Sequence, residues 1–259
     1  MAEQQQQSSF PTEVLSLPTK GILYPEDSPL RSGEIEVRYM TAREEDILTS
    51  TNLIEKGIVI DKLLSSVIAN PKVKLDDLFV GDKNALMLGT RVLGYGPEYP
   101  VTIPDPDTGL EVEHSFDLTK LDVTYIDEKL FKNGNNVEFE LPTTKRKITF
   151  KLLTHRDEQA IEQELKQLEK YEEMTGVKSE LTTRWKHQIT SIDGDTSVET
   201  ITNFVDNQFL ARDARALRNY IAKIQPNIIF EQEYTSQIGE PHKVEIPIGV
   251  RFFWPDSIL

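Results

Sequence analysis

The sequence predicts an α+β fold built from two related modules. Three observations predict it. A half-buried strand pattern runs straight into a capped helix twice, a second helix in each half ends at a Gly or Pro breaker, and each breaker is followed by the pattern of a β-hairpin.

Glu34-Ile35-Glu36-Val37-Arg38-Tyr39-Met40 alternates apolar and polar residues as a half-buried strand does, and Thr41-Ala42-Arg43-Glu44-Glu45-Asp46-Ile47-Leu48 follows as a helix start. Lys147-Ile148-Thr149-Phe150-Lys151-Leu152-Leu153 alternates in the same way before Thr154-His155-Arg156-Asp157-Glu158-Gln159-Ala160-Ile161. In both, a Thr stands three residues before Glu or Asp. Its hydroxyl and the carboxylate together satisfy the free amide hydrogens of a first helical turn.

Downstream, Gly81-Asp82-Lys83-Asn84-Ala85-Leu86 echoes Arg212-Asp213-Ala214-Arg215-Ala216-Leu217, each opening a helix. The first helix stops at Gly94-Tyr95-Gly96-Pro97 and the second at Gln225-Pro226. The hairpins then read Tyr99 to Ile103, a turn over Asp105 to Gly109 and Glu111 to Phe116, against Ile228 to Tyr234, a turn over Ser236 to Pro241 and Lys243 to Ile248. These boundaries divide the chain into an extended Pro-rich arm over 1–29, a first module over 30–136 that ends in the linker Asn133-Gly134-Asn135-Asn136, and a second module over 137–259.

Prolines 11, 18, 25 and 29 deny the arm a regular helix, and Phe10 and Tyr24 are among its apolar anchors, so it is expected to lie as a strap on the body or on a partner. The second module carries an insertion, Glu162 to Lys178, that reads as a mostly charged helix. Leu165, Leu168 and Tyr171 give it a narrow apolar stripe, suited to a solvated surface helix or to a partner-facing one.

The chain has 259 residues, 38% hydrophobic and 28% charged, which is ordinary globular composition. Its net charge of −14 argues against a general polyanion binder, because neutralising phosphates needs a basic face. The longest basic run, Lys145-Arg146-Lys147, reads as a solvated hairpin turn more readily than as a nucleic-acid patch. Cysteine is absent, which removes disulfides and thiolate chemistry. The polar start, Met1 to Ser9, has neither the basic nor the apolar region of a targeting peptide, and no apolar run approaches the roughly 20 residues that span a bilayer. Neither nucleic acid nor membrane is expected as a partner.

None of the common catalytic motifs is present. Of the four histidines, His114 and His242 fall on or beside the two hairpins. If the modules pack as a pair, these two could approach and hold a metal, which keeps a metal-dependent hydrolase as the alternative to ordinary strand histidines. Asp105-Pro106-Asp107-Thr108-Gly109 is rich in oxygen but fits a hairpin turn better than a calcium loop. At the end, Arg251-Phe252-Phe253-Trp254-Pro255 sets three aromatics in a row. A strand cannot turn all of Phe252, Phe253 and Trp254 to one face, so either a partner covers one of them or the segment closes the core.

Taken in order, Leu17-Pro18-Thr19-Lys20-Gly21, Met40-Thr41-Ala42 with Glu44-Glu45-Asp46-Ile47-Leu48-Thr49, Gly81-Asp82-Lys83-Asn84-Ala85 and Tyr95-Gly96 with Tyr99 resemble the T4-type contractile-tail bacteriophage baseplate hub protein family. Asp193-Gly194, Ala211-Arg212-Asp213 with Leu217-Arg218, and the closing Phe252-Phe253-Trp254-Pro255 extend the resemblance over nearly the whole chain. It implies a structural or assembly protein of the baseplate hub, not an enzyme and without a cofactor. It further implies work in the tail baseplate of the virion or in the host cytoplasm during assembly. The implied partners are other hub proteins, with the tape-measure protein as a further candidate, and Phe252, Phe253, Trp254, Phe10 and Tyr24 are the expected partner-binding residues. Members of the family often carry zinc-ribbon cysteine pairs in the two hairpins; here those places read Pro104 to Gly109 and Thr235 to Gly239, so turn residues and strand pairing must replace the metal clip.

Overall fold

The computed structural model describes residues 11–254, apart from the side chains at 170–172 and 175, as an α+β fold. Strand β1, Thr12–Ser16, pairs antiparallel with β2, Glu34–Arg38, so that Thr12 lies opposite Arg38 and Ser16 opposite Glu34. The boundary expected at residue 30 falls between these two paired strands. It would cut a two-stranded sheet in half, and Leu17 and Tyr24 of the arm are buried core residues. Between the strands the chain turns through Lys20 and Gly21, both in the left-handed region, and Arg31 donates to the carbonyls of Gly21, Ile22 and Tyr24. A Cβ on Gly21 would meet the Arg31 carbonyl oxygen at 2.4 Å, so close approach as well as φ fixes glycine there.

Helices α1 (Ala42–Leu48), α2 (Thr51–Glu55), α3 (Val59–Val67) and α4 (Val80–Tyr95) follow. Thr41 caps α1 as its sequence predicts: its Oγ1 accepts from Arg43 N–H, and its own N–H donates to Glu44 Oε2 at 2.9 Å. The first hairpin is β3, Glu98–Pro104, with β4, Glu111–Asp117, and a short β5, Val123–Thr124, comes after it.

The second half opens with β6, Val137–Glu140, and β7, Lys147–Phe150, joined through Lys145 at positive φ, so the basic run is a hairpin turn. Helix α5, His155–Thr175, starts at Thr154, whose Oγ1 accepts from Asp157 N–H while its N–H donates to Asp157 Oδ2. The strand stops at Phe150 rather than at Leu153 because Lys151 and Leu152 turn to other partners, the Gln188 carbonyl and both ends of the Asn135 amide. Helix α6, Glu180–Gln188, leads into β8, Ile189–Ile192, which adds a third strand beside β7. Then come α7 (Val198–Asn207), α8 (Ala211–Ile224), β9 (Asn227–Ile228), the second hairpin of β10 (Glu231–Thr235) and β11 (Pro241–Glu245), and a closing turn of helix, α9, Val250–Phe253.

The halves share one buried apolar cluster. They are sewn together by β9 pairing with β5 across the middle of the chain, and by Gly81 of α4, where a Cβ would collide with the Pro226 carbonyl oxygen at 1.9 Å.

One device occurs in both halves. Asp82 and Asp213 are the third residues of α4 and α8, and both are fully buried. Asp82 accepts from Thr19 N–H at 3.0 Å, Thr19 Oγ1 at 2.6 Å and Tyr24 Oη at 2.6 Å. Asp213 accepts from Thr143 N–H at 2.7 Å, Thr144 N–H at 3.1 Å and Thr144 Oγ1 at 2.9 Å. The donors follow Leu17-Pro18 in one half and Leu141-Pro142 in the other, each just after the first strand, so the repeat begins at β1 and β6.

Replacing Thr41 or Thr154 by Ala is expected to lower stability by about 1 kcal/mol each, the usual loss for an N-cap. Urea denaturation followed by circular dichroism checks this; no change at either position would remove the cap as the reason α1 and α5 begin where they do.

Candidate functional site

The two hairpins stand against one another, and a buried carboxylate pins their tips. Asp105, 1% exposed, directly follows β3. Its Oδ1 accepts from Asp107 N–H, Thr108 N–H and Thr108 Oγ1 within its own turn, and its Oδ2 accepts from Tyr234 Oη and Gln237 N–H of the second hairpin, both at 2.8 Å. Burial alone would raise its pKa; the N–H groups of Gln237 and Thr108 and the hydroxyls of Tyr234 and Thr108 outweigh it and hold the carboxyl far below the usual range. The anion is thus fully spoken for.

His114 and His242 do come close to the same place. His114 meets the rings of Phe116 and Tyr234 edge to face at 4.7 and 5.1 Å, and His242, cross-strand from Tyr234, puts Nε2 2.8 Å from Asp107 Oδ2. Among the described residues no cluster of three or more His, Asp or Glu side chains is arranged to hold a metal. The turn residues do not fit zinc either. Both Asp105 oxygens are filled by N–H and O–H donors, Asp107 is engaged by His242, and a zinc ribbon draws on thiolates that a chain without cysteine lacks.

A second polar cluster links the halves. Asp61 of α3 accepts from Lys83 Nζ of α4 at 2.6 Å and lies 3.0 Å from His155 Nε2 at the start of α5. Burial would raise the Asp61 pKa, but the bonds from His155 and Lys83 win and bring it down to about 2. It is a clamp between three helices.

The expected partner-binding residues divide. Phe252 and Phe253 are fully buried: Phe252 meets Tyr99 at 5.1 Å, Phe230 at 6.3 Å and Phe253 at 5.1 Å. Strand alternation does not apply, because the segment is a turn of helix, and side chains about 100° apart can both face one core. Core closure, the other reading of this segment, describes both phenylalanines. Tyr24 is buried too, its ring edge-on to Phe79 and its hydroxyl donating to Asp82, so it is a core residue and not a surface anchor. Trp254 alone is half-buried, packed at the rim of the core, and Phe10 lies outside the described residues.

Composition and spacing did not bring out Asp105, nor Arg91, which is buried beneath Tyr95 and Tyr99 and donates to the carbonyls of Gly96 and Glu98 to close the end of α4. The paired Leu-Pro-Thr segments were the available signal for Asp82 and Asp213.

The model of the T4 bacteriophage base plate protein family matches residues 24–254. The chain belongs to this family. Searches of curated proteins and of solved structures returned no significant match. As a T4-type baseplate protein it is a structural component of the phage tail baseplate, and its place is the tail baseplate of the virion, beside other baseplate proteins. In this baseplate protein the matched span begins at Tyr24 and ends at Trp254, so it takes in both carboxylate anchors and both hairpins.

Asp105→Ala should free the hairpin tips. Hydrogen exchange of the Thr108 and Gln237 amides should then speed up at least about tenfold while the Thr143 and Thr144 amides keep their protection. Unchanged exchange at Thr108 and Gln237 would show that Asp105 does not hold them.

Proposed function

We propose that this baseplate protein belongs to the hub of the contractile tail and acts without catalysis, through protein-protein interfaces. The observation that carries this reading is the family match over 24–254, joined to the way the buried ionisable groups are used. Buried Asp82, Asp105 and Asp213 and the part-exposed Asp61 each accept from groups of their own chain, as a scaffold requires; a general acid or base needs a carboxyl within reach of substrate. The partners are other hub proteins, with the tape-measure protein as a candidate, and assembly begins in the host cytoplasm.

Trp254 is the partner contact in this reading, with Phe10 as its counterpart near the other end of the chain. A half-buried tryptophan at the edge of a core offers a large apolar face and an N–H donor, the combination that dominates interface energetics.

Trp254→Ala should leave a folded, soluble protein that no longer co-purifies with hub proteins or enters tails, whereas His114→Ala with His242→Ala should assemble normally. Mass spectrometry of purified tails against infected-cell lysate reads both. Loss of assembly in the double histidine variant with a normal Trp254→Ala would favour a site at the hairpins over an aromatic interface.

A further inference from the structure

Helix α8 presents Arg212, Arg215, Arg218 and Lys223 to solvent, while its one acid, Asp213, is buried under Thr143 and Thr144. At 3.6 residues per turn the four cations fall within an arc of about 140° and span about 16 Å. Among the described residues none of them makes an ion pair. Like charges one turn apart repel, and such a row stands out on a chain of net charge −14. Beside it, a cleft of about 240 Å³ opens between α6 and α8, with Trp185 and Ile221 in its lining and Leu181, Ala222 and Arg218 at its sides.

The complement to both features is on the same chain. Helix α5 exposes Glu162, Glu169 and Glu173, whose spacings of seven and eleven residues put them on one face over the same length of about 16 Å. Two cations border that face among the described side chains, Lys166, paired with Glu162 at 2.6 Å, and Lys178, against the acids Glu162, Glu169, Glu173 and Glu180. Just beyond, Met174 is 87% exposed and Leu181, at the start of α6, 55% exposed. Glu158 of α5 and Arg218 of α8 line the same cleft, so the acidic and basic faces adjoin.

We propose that two copies of this chain associate through these faces, α5 of each lying along α8 of the other and Met174 entering the other copy's cleft. A two-fold axis satisfies both contacts at once, because each copy carries both halves of the match. An acidic partner of another kind would use the arginine row but leave the acidic face and the exposed methionine without a role. Nucleic acid would use the row against the repulsion of the whole surface. The inference is independent of the hub reading, since it concerns the isolated chain.

Sedimentation velocity of the full chain tests it, from about 5 to about 200 µM in low and high salt. The expected result is a dimer in low salt, with at least about tenfold weaker association in high salt. Arg212→Glu with Arg215→Glu and Arg218→Glu should give a monomer, as should Glu169→Lys with Glu173→Lys, and mixing the two variants should restore the dimer mass. Circular dichroism controls for folding, and Arg→Gln changes at the same three positions, which add no new acids, should weaken association in the same direction. A wild type that stays monomeric throughout overturns the proposal, as does a dimer that survives both reversals. If the wild type is monomeric and the arginine variant is nonetheless lost from purified tails, the row serves a different acidic partner; the second copy is then excluded while the hub reading stands.

Discussion

Each half of this protein is organised around a carboxylate that cannot be solvated. A buried anion without partners is costly enough that the chain must bring donors to it, and the cheapest position is the first turn of a helix, where the free amide dipoles already favour negative charge. Asp82 and Asp213 occupy that position, and each draws in the turn that follows the first strand of its half. The strand, the turn and a helix more than sixty residues further on are thereby fixed to one point. The two anchors are not equivalent. Burial pushes the Asp82 pKa up despite the bonds from Thr19 and Tyr24, whereas for Asp213 the burial penalty is outweighed by the amides and hydroxyls of Thr143 and Thr144, leaving its pKa lowered. Asp82 lies deeper and has one backbone N–H donor, Asp213 lies nearer the surface and has two, and both differences act in that direction.

From these anchors the rest follows by contact. With α4 fixed, Gly81 can sit on the Pro226 carbonyl, Lys83 can reach Asp61 and His155, and Arg91 can close the helix end that launches the first hairpin. The hairpins then meet tip to tip at Asp105. A third buried carboxylate does there what the two helix anchors do within each half, joining segments remote in sequence, here Asp105 and Gln237. The surfaces left over are the ones that face outward: the rim at Trp254, the cationic row on α8 and the acidic length of α5.

What was legible in the sequence was whatever local chemistry decides. The caps at Thr41 and Thr154, the hairpin turns and the stops at Gly96 and Pro226 each depend on residues a few positions apart, and the duplicated order of elements follows from them. The arm was not legible as a strand, because β1 is five residues long, lies between prolines and finds its partner only after a turn that returns through Gly21. For Phe252 and Phe253 strand alternation leaves core closure and a partner contact both open, and the single turn of helix that buries them is too short to announce itself in the sequence. For the carboxylate anchors the paired Leu-Pro-Thr segments are a signal of position, but not of the contacts made. An aspartate becomes a core residue only if its donors converge, and those of Asp82, with the Tyr234 and Gln237 donors of Asp105, come from 58 to 132 residues away.

The most direct test of this account is the unfolding free energy of Asp82→Ala and Asp213→Ala, measured separately by denaturant titration. Each removes the acceptor for three buried or half-buried donors, so each should lower stability by about 2 kcal/mol or more, with the pair destabilising both halves of the shared core. Values within about 0.5 kcal/mol of the parent at both positions, the range of ordinary surface substitutions, would contradict it.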